Sequence, residues 1–127
     1  MKSIKVKSEI ENLHKIIDFV NKQTQTDDVN LQLIIEEIYV NIAKYSNSDY
    51  VTINVEQDSN KNLVLLEFID NGIPFNPVEK EKPELPDSIE NAEIGGLGIH
   101  LIKNLSDSMK YYYNGKNHFI ITKKVKK

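Results

Sequence analysis

Residues 31–46, LQLIIEEIYVNIAKYS, decide how the rest of the chain is read. Leu31, Ile34, Ile35, Ile38, Ile42 and Tyr45 recur at helical spacing, which predicts an amphipathic helix with that stripe on its buried side. Asp27, Asp28 and Asn30 stand at its start. Their side chains can accept from the free N–H groups of a first turn and suit the positive end of the helix dipole. Two polar residues sit at the edge of the stripe. Glu37 and Asn41 lie four apart, so they project on nearly the same face, and Ile38 and Ile42 flank them. A carboxylate and a carboxamide in such a place cost free energy unless each has a partner. Solvent on an exposed face would satisfy both. A ligand would too, with Asn41 holding a metal or phosphate and Glu37 acting as a general base beside it.

Working outward, YVTINVEQ (50–57) and NLVLLEFID (62–70) read as two strands joined by the polar turn DSNKN (58–62). Towards the N-terminus, SIKVKS (3–8) alternates apolar and polar side chains and reads as a short strand. Ser8 and Glu11 have capping-box spacing, and Ile10, Leu13, Ile16, Ile17 and Val20 form the stripe of a first helix that fades near Gln23 to Thr26. After Asp70 comes a segment without periodicity, residues 71–94, which contains all four prolines of the chain. Segments of this length without structure of their own are usually functional, and a lid is expected at about residues 76–95. GGLGIHLIKNLSDS (95–108) opens a third helix. MKYYYNGKNHFIITKKV (109–125) is a closing hairpin that turns at Asn114-Gly115. The order β-α-α-β-β-(lid)-α-β-β predicts an α/β fold, a two-layer sandwich of one mixed sheet with helices on one face. The 127 residues suit one domain spanning 1–127, since domains commonly run to about 100–200 residues.

Composition narrows the chemistry. There are no cysteines, which excludes a disulfide framework and any thiolate nucleophile or metal ligand. No stretch approaches the roughly 20 apolar residues needed to span a bilayer, and MKSIKVKSEI lacks the apolar core of a secretory signal. A cytoplasmic protein is expected. The net charge of −3 gives no electrostatic case for nucleic acid or an acidic membrane as partner. All sixteen basic residues are lysines, so no bidentate guanidinium from this chain can grip an anion.

Two further segments carry candidate chemistry. In FIDNGIPF (68–75), Asp70 ends an apolar strand, where its carboxylate can accept a hydrogen bond from a ligand amine, and Gly72 lets a ligand approach the backbone. An Asp-Asn-Gly turn without function has the same letters, but here it leads into the proline-rich segment rather than a strand. In GGLGIHLIK (95–103), Gly95, Gly96 and Gly98 stand at a helix start, where bare N–H groups and the helix dipole favour an anion. The spacing is neither GxGxxG nor GxxxxGK[ST], so dinucleotide-fold and P-loop readings fail. His14, His100 and His118 lack metal-ligand spacing and read as packing or surface residues. Tyr111 to Tyr113 should divide between the two faces of a strand. Thr122 could line a pocket, although Ile120 and Ile121 beside it suggest ordinary core.

Together these motifs, in this order, resemble the GHKL (Bergerat) ATP-binding superfamily. EEIYVNIAKYS, IDNGIPFNP and IGGLGIHLIKNLSD look more narrowly like its anti-sigma-factor serine kinase branch. The resemblance implies that the chain binds ATP with Mg2+. It implies that Asn41 holds the Mg2+ bridging the phosphates and that Glu37 activates the attacking hydroxyl. Asp70 would read the adenine amino group, with Gly72 beneath the adenine. Gly95, Gly96, Leu97 and Gly98 would form the phosphate loop. The function implied is a protein serine/threonine kinase in a partner-switching circuit. Its partners would be a sigma factor or similar target and an antagonist protein carrying a phosphorylatable serine, and a homodimer is compatible with the family. Two positions depart from the pattern: Ile94 stands where many kinase members have a basic residue, and Tyr45 where many have histidine. They bear on phosphoryl transfer, so two alternatives stand beside it: a non-catalytic nucleotide-dependent binding module, and a detached histidine-kinase catalytic domain.

Overall fold

Ile4 and Val6 alternate with lysines along Lys2–Lys7, and the segment is an edge strand, β1, in the computed structural model, which describes residues 2–58, 60–76 and 102–125. A 3-10 turn, Ile10–Asn12, leads into helix α1, Leu13–Thr24. The expected capping box at Ser8 and Glu11 is not formed. Neither the turn nor α1 has a side-chain cap. The Asn12 Nδ2 donates instead to the Lys7 carbonyl at 2.9 Å, and the Ser8 Oγ accepts from the Ser48 Oγ at 3.0 Å. The helical stripe therefore begins later than expected. Ile16 and Val20 are fully buried, Leu13 and Ile17 pack at the margin of the core, and Ile10 is half exposed. Ile10 lies in the tighter 3-10 turn, whose side chains are out of phase with the α-helix that follows.

Helix α2, Val29–Tyr45, starts where the acidic pair suggested: the Asp28 side chain accepts from the Leu31 N–H at 3.1 Å. It buries Leu31, Ile34, Ile35, Ile38, Tyr39, Asn41 and Ile42. Tyr39 was not part of the expected stripe. Its ring fills the core, while its hydroxyl meets the Lys7 and Glu9 carbonyls and accepts from the Glu9 N–H at 3.2 Å. Tyr45 is only half buried, at the helix end.

Strands β2 (Tyr50–Asp58) and β3 (Leu63–Asp70) form the expected hairpin. The Asp58 Oδ1 accepts from the N–H groups of Asn60 and Lys61, and Asn62 takes the left-handed conformation that turns the chain. Residues 102–105 are helical. Strands β4 (Ser108–Tyr113) and β5 (Asn117–Lys124) pair across a turn in which Gly115 has φ of 99°, a value that favours glycine.

The five strands lie in the order β1-β2-β3-β5-β4. A two-layer α/β plan is what the structure has, but the sheet is not mixed: among the described residues every pairing is antiparallel. The reason lies in the crossover from β1 to β2. A single helix would return the chain for a parallel strand, whereas α1 and α2 together run down and back, so β2 enters reversed.

Register assigns the faces. Ile4, Ile53, Phe68, Phe119 and Tyr111 form one cross-strand row, and Val6, Val51, Asp70 and Asn117 the next. These rows face α1 and α2 in one continuous apolar core that also takes in Ile102. The opposite face carries Leu65, Glu67, Ile69, His118, Ile120 and Thr122, all partly exposed. Among the described residues no helix is long and apolar enough to cross a membrane.

Candidate functional site

Asp70 is the last residue of β3, and alternation along LVLLEFID turns it to the same side as Val64, Leu66 and Phe68. Its carboxylate is thus delivered to the end of the apolar core, with 2% of the residue exposed. Two donors hold its Oδ1, the Gly72 N–H at 2.9 Å and the Asn117 Nδ2 at 2.9 Å. Burial pushes its pKa above the ordinary 3.8. The hydrogen bonds from Asn117, Gly72 and Ser46 and the charge of His118 pull the other way without cancelling the rise.

The backbone after Asp70 packs onto the C-terminal end of α2. The Ile73 N–H donates to the Ser46 carbonyl at 2.8 Å. A Cβ on Gly72 would lie 2.0 Å from that same carbonyl oxygen. The glycine is therefore demanded by the protein's own backbone, independently of the close ligand approach read from the sequence. Asn71 turns away, and its Oδ1 accepts from the N–H groups of Asp49 and Tyr50 at the entry to β2.

Glu37, Asn41 and Tyr45 are spaced by four, so they form one ridge along α2. The Tyr45 ring lies 5.9 Å from that of Phe75, which brings the ridge to the segment leaving Asp70. Asn41 stands five residues before Ser46, roughly 7.5 Å back along the helix axis, and Glu37 a further turn behind it. Asn41 is 4% exposed, and its Nδ2 has no hydrogen-bond partner among the described residues. A buried amide left this way is costly, and a ligand phosphate or water shell would relieve it. Glu37 is half buried while Glu36 faces solvent. Burial, and then the charge of Glu36, raise the Glu37 pKa above 4.5, while Lys44 partly opposes them.

The structure thus gathers Asp70 and Gly72 at one point and sets Asn41 and Glu37 on the helix that reaches it. Gly95, Gly96, Leu97 and Gly98 lie outside the described residues, as does the expected lid apart from Asn76. Thr122 does not approach Asp70, because it belongs to the opposite sheet face, against Ser108. No group of metal-ligating residues of the His, Cys, Asp and Glu type occurs among the described residues.

Sequence reasoning missed Asn117 and Ser46. Asn117 is 1% exposed and uses its whole carboxamide. Its Nδ2 donates to Asp70 and, at 2.6 Å, to the Ile73 carbonyl; its Oδ1 accepts from the Phe75 N–H at 2.8 Å and from the Tyr111 hydroxyl. The signal was present: Asn117 shares the inward phase of Phe119 and Ile121, and an inward polar residue in a strand needs a reason. Ser46 is fully buried, and its Oγ, with one proton to give, lies within hydrogen-bond reach of both the Ile42 carbonyl and the Asp70 carboxylate.

Comparison with known proteins agrees with this fold. A family model described as the histidine kinase-like ATPase domain matches residues 7–123. Among solved structures, the chain is similar to the Acinetobacter baumannii histidine kinase AdeS, with 16% identity and a TM-score of 0.53. That alignment covers 98% of this chain and 68% of the other. It is similar as well to the catalytic domain of the histidine kinase ThkA, with 14% identity, a TM-score of 0.51, and 98% and 97% of the two chains covered. At these identities the likeness is one of fold. Among curated proteins none matches. Since the family model spans both long helices and strands β2 to β5 almost in full, the chain belongs to the histidine kinase-like ATPase domain family.

Proposed function

We propose that this chain is an ATP-binding protein serine/threonine kinase of the anti-sigma-factor type, acting in a partner-switching circuit. The family implies ATP binding. The observation that carries the reading is the buried Asp70 carboxylate, held from one side by Gly72 and Asn117, at the end of a helix ridge bearing the unpartnered amide of Asn41. A carboxylate so placed accepts from an amine, as adenine offers. The Asn41 carboxamide supplies the neutral oxygen that hard cations such as Mg2+ take as a ligand, while its amide nitrogen can donate to a phosphate. Mg2+, when bound, neutralises charge on the transferred phosphoryl group. Gly95, Gly96, Leu97 and Gly98, read from the sequence alone, would meet the phosphates with backbone N–H groups.

Glu37 favours a hydroxyl acceptor over histidine. A serine hydroxyl must lose a proton to become an adequate nucleophile, whereas a neutral imidazole already presents a lone pair. A half-buried carboxylate with a raised pKa is a better base than an exposed one. In this mechanism Glu37 would take the serine proton as the serine oxygen bonds to the terminal phosphorus of ATP, and the bond from that phosphorus to the bridging oxygen would break to release ADP. The partners would be a sigma factor or similar target and a small antagonist bearing that serine.

The test is incubation with labelled ATP and candidate antagonists. Glu37→Gln should cut transfer by roughly 10²–10⁴-fold, the usual contribution of a positioned base, with ATP affinity nearly unchanged. Glu36→Gln should cost far less than Glu37→Gln, since Glu36 points about 100° away and acts on Glu37 only through its charge. Label on histidine would establish a detached histidine-kinase catalytic domain instead. No label with intact ATP binding would establish a nucleotide-dependent binding module.

A further inference from the structure

Asn117 draws together three parts of the molecule that the sequence keeps far apart. It sits at the start of β5, directly across from Asp70 in the β3 register. Its four hydrogen bonds also fix which way the amide faces. The nitrogen meets two pure acceptors, the Asp70 carboxylate and the Ile73 carbonyl, and the oxygen meets two donors, the Phe75 N–H and the Tyr111 hydroxyl. A flipped amide would put oxygen against oxygen twice, so one orientation is imposed. Because both Asn117 and Gly72 bond to Oδ1, the other oxygen of Asp70 carries neither of these bonds and is turned in a fixed direction. The same carboxamide staples residues 73–75 to the sheet end.

We propose that Asn117 is a specificity-determining positioning residue: it orients the Asp70 carboxylate towards the ligand's amine and ties that orientation to the backbone of residues 73–75. The inference rests on the reading of Asp70 as the adenine contact. Asn117 acts through Asp70 rather than by touching the base. Removing it leaves the Gly72 and Ser46 hydrogen bonds but takes away one of the donors that orient the carboxylate, and it releases Ile73 and Phe75 from the carboxamide. What is lost first is discrimination for the exocyclic amine of adenine, which inosine lacks.

The experiment measures ATP and inosine triphosphate affinities by calorimetry for the wild type, Asn117→Ala, Asp70→Asn and the double variant, with folding checked by circular dichroism. Asn117→Ala should lower the preference for ATP over inosine triphosphate by roughly ten-fold, the scale of one hydrogen bond to a charged group. The double variant should bind ATP no more weakly than Asp70→Asn alone, because coupled residues are not additive. If alanine does not fold, Asn117→Ser, which keeps a hydroxyl on a shorter stem, carries the same expectation to a smaller degree. Equal weakening of both nucleotides, or additive losses in the double variant, would reduce Asn117 to a support of the fold and overturn the inference alone. A wild type that binds ATP and inosine triphosphate equally, with Asp70→Asn inert, would overturn the adenine reading itself.

Discussion

Asp70 sets a carboxylate where water scarcely reaches, and its donors only partly offset the cost of ionising it there. Its substitution therefore separates stability from function. Asp70→Asn retains an oxygen that can accept from Gly72 and Asn117 and removes the buried charge. The fold should be as stable as the wild type or more so in a thermal melt. ATP affinity should fall by about 1.5–3 kcal/mol, the range for a hydrogen bond to a charged partner. Unchanged affinity in calorimetry would mean that Asp70 does not contact the nucleotide. His118 shows the opposite case. Read from sequence as a surface or packing residue, it bridges Glu67 and Asn114 on the open sheet face and stacks on Tyr112. It reaches Asp70 only through its charge.

At the level of elements, the site depends on the seam between the end of α2 and the segment leaving β3. Three contacts define it: the Ile73 N–H on the Ser46 carbonyl, the Tyr45 ring beside Phe75, and the bare Cα of Gly72 beneath that carbonyl. Gly72→Ala must push this seam apart, since the clash is with backbone on one side and a β3 side chain on the other. A loss of about 1–3 kcal/mol in denaturant unfolding is expected, as for other overpacked sites. ATP binding should weaken with it, because Asp70 loses the Gly72 N–H. A variant as stable as the wild type would mean that the seam yields freely. The helix start at Asp28 was legible because capping is local chemistry. Ser8 was misread because its hydroxyl is engaged by Ser48, forty residues away.

Across the whole molecule, pH should act on stability and on binding in opposite directions. The Asp70 pKa is raised in the folded state, so the folded protein holds its proton more tightly than the unfolded chain does. The stabilisation from that proton is complete below about 3.8 and is lost as pH rises through the folded value. Glu37, also raised, adds in the same sense. Binding of an amine by Asp70 needs the ionised form, so affinity should rise over that same window. Denaturant melts and calorimetry from pH 4 to pH 7 check both. The stability advantage of Asp70→Asn over the wild type should grow with pH, and a difference that shrinks would reverse the assigned shift.

By itself the sequence determined most of the α2 stripe, its acidic cap and both hairpins, because periodicity, capping and turn chemistry act over a few residues, and it singled out Asn41, Asp70 and Gly72 as candidates. Tertiary structure alone decided the antiparallel sheet, the burial of Tyr39, the exposure of Ile10 and the clamp of Asn117 on Asp70. Each of these depends on which segments are neighbours in space. Asp70 and Asn117 are 47 residues apart in the chain, and only the pairing of β3 with β5 places the amide against the carboxylate.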